Sequence, residues 1–140
     1  MKKLKLRRLS LLAWYLRSVP RQYFRLMSWV YRNGSNFDNG LLKNIECGAT
    51  ACAIGWAAHI PEFRKLGFEL FYNGGAVVPS YKGTRNWEAV QNFFGLTSSE
   101  ALHLFSMYSY PKENGTLPFE VANRIDKFVA DYTFVNLGNY

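Results

Sequence analysis

"ECGATACAIGWAAHIPEF", residues 46–63, holds both cysteines, five alanines, two glycines and one of the two histidines. From Gly48 to Ile60 the side chains are small and apolar, and Pro61 follows. This pattern predicts a buried helix over roughly residues 49–59, closed by Pro61. Gly55 inside it costs about 1 kcal/mol relative to Ala, which implies that another element approaches closely. A small Ala/Gly-rich helix of this kind suits the centre of a domain.

The neighbouring segments fit around such a centre. Leu9, Leu12, Ala13 and Leu16 recur at helical spacing and predict an amphipathic first helix that ends before Pro20. The next segment, "RQYFRLMSWVYR", suits either a helix or an extended element, and "NGSNFDNG" is a loop. "PEFRKLG" is a helical turn stopped by Gly67. "FELFYNGGAVVPSY" predicts two strands around Asn73-Gly74-Gly75, and Pro79 confines the second to an edge or ends it. A helix follows up to Gly95, and Thr97 with Glu100 forms a capping-box pattern for another. "SMYSYPKENGTLP" is a loop. The last helix starts near Thr116, tolerates Pro118 in its first turn and runs to about Asp131. Its stripe is Val121, Ile125, Phe128 and Val129, and "TFVNLGNY" is a terminal strand or a loose end. The fold class is therefore α+β, mainly α. It is one compact domain over residues 1–140, with about five helices around the central one and a short β-hairpin.

Length and composition agree. At 140 residues with 49% hydrophobic side chains, a single domain can bury a core without disulfides. No apolar run approaches the ~20 residues of a membrane span. The start, "MKKLKLRRLSLLAWYLR", superficially resembles a signal peptide, but its apolar stretch is short and Arg17 interrupts it. The expected location is the cytoplasm, with both cysteines reduced.

The charge is asymmetric. Of the seventeen basic residues, nine fall within residues 1–37, which contain no acid; the other eight face ten acids. The N-terminal segment thus carries +9 and the rest of the chain −2, which gives the net +7. Residues 1–8 suit a flexible basic tail, and the segment as a whole suits nucleic acid, a phosphorylated ligand or an acidic partner.

The candidate chemistry is sparse. Cys47 and Cys52 lack the paired spacing of a zinc site, and in one helix they would lie roughly 140° apart, so no metal is expected. A thiolate at a helix N-terminus is stabilised by free N–H groups, which makes Cys47 the candidate nucleophile of a cysteine enzyme. His59 would lie roughly 16 Å along the helix from Cys47, which leaves His103 as the candidate base. The same helix start, Cys47, Gly48 and Thr50, could cradle an anion. For a nucleotide, Arg17, Arg21 and Arg25 are the candidate phosphate ligands, with Tyr23, Trp29 or Tyr81 stacking on the base and Arg85 nearby. No cofactor is implied.

Taken together, these pieces resemble a family of small phage and prophage proteins of unknown function, whose hallmark is Cys-Gly-Thr-x-x-Cys-x-x-Gly-(His or Trp). Here it runs Cys47-Gly48-Ala49-Thr50-Ala51-Cys52-Ala53-Ile54-Gly55-Trp56, with Ala49 where Thr is usual. Leu9, Leu12, Ala13, Tyr15 and Leu16, then "FFGLTSSEALHLFS" and "LPFEVANRIDKFV", are similar to the family's flanking segments. The resemblance implies a non-enzymatic phage accessory protein in the host cytoplasm, an anti-defence protein that sequesters a nucleotide-type immune signal or blocks a defence protein. It transfers no catalytic residue. The alternatives are a cysteine-dependent enzyme using Cys47 and a nucleic-acid-binding protein using the basic segment; self-association is compatible with each.

Overall fold

The structure is a computed structural model that describes residues 4–24, 30–32, 40–42, 49–73, 76–110 and 116–137. It is α+β and mainly α. Helix α1, Leu6–Leu16, forms where the apolar spacing predicted it and buries Leu9, Leu12, Ala13 and Leu16 completely. A 3-10 turn at Arg21–Tyr23 follows, and then strand β1, Val30–Arg32, so the ambiguous segment is extended at its far end.

The largest departure lies in the stretch that led the sequence reading. Ala49–Ala51 is strand β3, antiparallel to β1 with Tyr31 opposite Thr50. Cys52 is extended, with φ −77° and ψ −178°, and helix α2 spans only Ala53–Ala57. Pairing with β1 overrides the helical preference of the alanines, as tertiary context commonly does. Pro61 does not close this helix. It opens α3, Pro61–Lys65, where its missing N–H costs nothing. Gly67, at φ +94°, follows α3 as expected.

The predicted hairpin is part of a larger sheet. Strands β4, Glu69–Asn73, and β5, Ala76–Tyr81, pair antiparallel. They are flanked by β2, Gly40–Leu42, and β6, Thr84–Arg85, in the order β2-β4-β5-β6. β5 continues two residues past Pro79, but β6 pairs only with Ser80 and Tyr81. Pro79 thus neither ends β5 nor confines it to an edge; it pairs with Leu70 of β4, and among the described residues no strand pairs with it on the other side, so its missing N–H is tolerated.

Helix α4, Asn86–Phe94, ends on Gly95 in the left-handed region at φ +71°. α5, Ser98–Phe105, starts from the predicted capping box: Thr97 Oγ1 accepts from the Glu100 N–H, and Glu100 Oε1 accepts from the Thr97 N–H. A 3-10 turn at Met107–Ser109 falls within the expected loop. The last helix, α6, Pro118–Leu137, passes Asp131, so Thr133–Leu137 is neither strand nor loose end.

The centre of the domain is aromatic. Phe93 of α4 contacts Phe63 (ring centroids 4.9 Å), Phe68 (4.5 Å, stacked), Phe94 (5.0 Å) and Tyr81 (5.0 Å). Phe105 joins through Phe94 at 5.7 Å. α1 packs along α6 on one side and reaches α2 and α4 on the other. The central position therefore belongs to α4 and its phenylalanines, with the five-residue α2 as one buried wall.

Candidate functional site

The N-terminal end of α1 meets the C-terminal end of α4. The last carbonyls of a helix lack intrahelical partners, and α1 supplies two of them. The Lys5 N–H donates to the Phe94 oxygen at 2.9 Å, and Arg8 Nη1 donates to the Phe93 oxygen at 2.6 Å. The Arg8 guanidinium also lies 4.4 Å from the Phe93 ring centroid. Residues 4–8 are thus built into the domain, which corrects the expectation of a tail over that span.

Beside this junction, α1 and α3 border a groove of about 330 Å³. Leu6, Leu11, Phe63 and Leu66 form its apolar lining, and Leu66 is 48% exposed. Lys5, Arg7, Arg8 and Glu62 supply its charge. Among the described residues, the side chains of Lys5 and Arg7 form no ion pair. α1 has no acidic residue in its first turn and no side-chain cap. Cations are thus gathered at the end of a helix where its dipole favours anions.

Tyr81 stands on the other side of Arg8. Its phenol is buried, which raises its pKa, but Arg8 and Lys82 beside it outweigh this and leave it below the ordinary tyrosine value. Lys82, at φ 47°, turns its ammonium to 5.3 Å from the Tyr81 ring centroid. Tyr81 lies edge-on to Phe93 inside the core, a position that serves packing more than stacking on a ligand.

The other described residues singled out by sequence do not assemble with it. Arg17, a candidate phosphate ligand, is paired with α6 through Asn123 Oδ1 and Asp126 Oδ2, both at 2.8 Å. Arg21 is exposed in the 3-10 turn, and the Tyr23 carbonyl accepts from Trp56 Nε1 at 2.9 Å. Arg85 lies over Phe71, 4.0 Å from the ring centroid. Thr50 is in strand β3, so the helix start expected across Cys47–Thr50 lies instead at Ala53. Arg25, Trp29, Cys47 and Gly48 lie outside the described residues.

The described nucleophile and bases are subdued. Cys52 is buried, and burial pushes its thiol up to about 11 despite nearby backbone N–H groups. His59 Nδ1 is buried without a hydrogen-bond partner among the described residues, and burial, then the charge of Arg64, lowers its pKa. Trp56 meets its ring edge-on at 5.7 Å. His103 is exposed on α5; desolvation of the ring, then Arg124, lowers its pKa. Among the described residues, no three His, Cys, Asp or Glu side chains gather as metal ligands, and no helix is long and apolar enough to cross a membrane.

In the sequence Lys5, Arg7 and Arg8 stand out only as part of a basic tail, and nothing local marks Glu62, Leu66 or Lys82. The signal for the first three was Leu4, Leu6 and Leu9 interleaved with the cations, which continues the amphipathic spacing of α1 toward the N-terminus. Comparison with protein-family models, with curated proteins and with solved structures finds no match in any of the three.

Proposed function

We propose that this chain is a non-enzymatic accessory protein of the phage kind, acting in the host cytoplasm by binding and neutralising a host factor. The factor presents negative charge: a nucleotide-type immune signal that is sequestered, or a defence protein that is blocked. One observation carries the reading. Among the described residues Lys5 and Arg7 stand without ion-pair partners, beside Arg8, at the positive end of α1. This arrangement works against local helix stability. Departures from local rules of this kind concentrate where a protein binds something. The basic cluster replaces Arg17 as the anion-holding group, because Arg17 is already satisfied by Asp126.

Thermal-shift measurements against cyclic and linear nucleotides test the small-molecule form. A ligand at one hundred times its dissociation constant adds about 2.7 kcal/mol of stability, a shift that is easily read. Stabilisation that disappears in Arg7→Glu supports sequestration. A flat response across the panel eliminates that form and leaves the blocking of a protein. A nucleic-acid binder using the same cations would show affinity falling steeply with salt for any sequence.

A further inference from the structure

The groove between α1 and α3 narrows the choice between a nucleotide and a protein, and the argument rests on the binding reading above. Its lining is aliphatic at Leu6, Leu11 and Leu66, and the one aromatic among the described lining residues, Phe63, is 1% exposed. Among the described residues the groove therefore offers no ring face for a base to stack on, in contrast to nucleotide-binding surfaces that work by stacking. Glu62 adds a negative charge on the α3 side, opposite the cations of α1, which repels a phosphate-rich ligand. A protein segment fits both walls. Its apolar side chains fill the groove, its acidic side chains meet Lys5 and Arg7, and a basic or amide group reaches Glu62.

We infer that the α1–α3 groove is a docking site for an amphipathic acidic segment of a partner protein, held by Leu11 and Leu66 from below and by Lys5 and Arg7 from the rim. Two helices flanking an apolar groove are a recurrent receptor for such segments.

The test uses a fluorescein-labelled peptide of helical Leu-Glu-Glu-Leu-Leu-Gln repeats, a copy with every Glu replaced by Lys, and labelled ATP. Fluorescence anisotropy is read against the full chain and three variants. The acidic peptide is expected to bind and the lysine peptide not to bind. Arg7→Glu should weaken binding about fivefold, the scale of one exposed charge pair. Leu66→Glu should weaken it about tenfold, through lost apolar contact. Leu102→Glu, at an exposed apolar position on α5, should leave it unchanged. Circular dichroism confirms that each variant is folded. The acidic peptide failing to bind, or binding Leu66→Glu as well as the unaltered chain, overturns the docking site. ATP binding in place of the peptide overturns it while the broader binding reading survives through its nucleotide form. No binding by peptide or nucleotide removes both.

Discussion

Arg8 and Phe93 are joined twice: the guanidinium donates to the Phe93 carbonyl oxygen at 2.6 Å and stands 4.4 Å from the centroid of the same residue's ring. Phe93 is fully buried and touches four other aromatic rings. One surface-facing cation thus reaches the middle of the core through a single neighbour. Arg8→Ala should cost about 2 kcal/mol, in the range of a hydrogen bond to a charged group. Urea denaturation reads this directly; Arg8→Lys, which keeps the charge but loses the planar fork, should recover only part of it.

Arg17 should behave differently although it also makes a hydrogen bond and an ion pair. Its side chain is 41% exposed and that of Asp126 is 48% exposed. Solvent screening limits such a pair to about 0–1 kcal/mol. Arg17→Ala should leave the thermal midpoint nearly unchanged and should not alter anion binding. A loss of binding in this variant would return Arg17 to the role its sequence position first suggested.

Thr97 and Glu100 satisfy two free N–H groups at the start of α5. Thr97→Ala should destabilise the fold by about 1 kcal/mol, and Thr97→Gly by less. Equal losses in the two variants would show that the hydroxyl is not the cap.

Cys52 carries a pH prediction. Its thiol has an ordinary value of 9.0 and is pushed up to about 11 by burial in the fold. A group raised in the native state contributes stability below its unfolded value and loses it as pH rises toward the folded one. Stability should therefore fall between pH 9 and 11, and Cys52→Ala should flatten part of that slope. Iodoacetamide at pH 8 should modify Cys52 only on unfolding.

The elements set by neighbours in the chain were legible: α1 from Leu9, Leu12, Ala13 and Leu16, the stop at Gly95, the cap at Thr97, the paired strands Glu69–Asn73 and Ala76–Tyr81. Each depends on interactions within a few residues. Ala49–Ala51 was not legible as strand, because alanines favour helix and the deciding partner, Val30–Arg32, is distant in sequence. The site shared this difficulty. Nothing local to Arg17 announces Asp126, and nothing local to Lys5 announces that α3 will stand beside it with Leu66. The cations that matter were visible in the composition, but which of them remain unpaired is a property of tertiary packing.

Helix α6 outlasts the body it packs on. Its inward stripe is fully buried at Val121 and Ile125, only partly covered at Phe128 and Val129, and 59% exposed by Val135. Backbone amides open locally in proportion to how little surrounds them. Deuterium uptake along this one helix should therefore form a gradient, slowest near Ile125 and fastest in the final turns. The helix would carry both a global and a near-zero opening free energy along its length, and a partner that gripped its end would appear first as the slowing of those last amides.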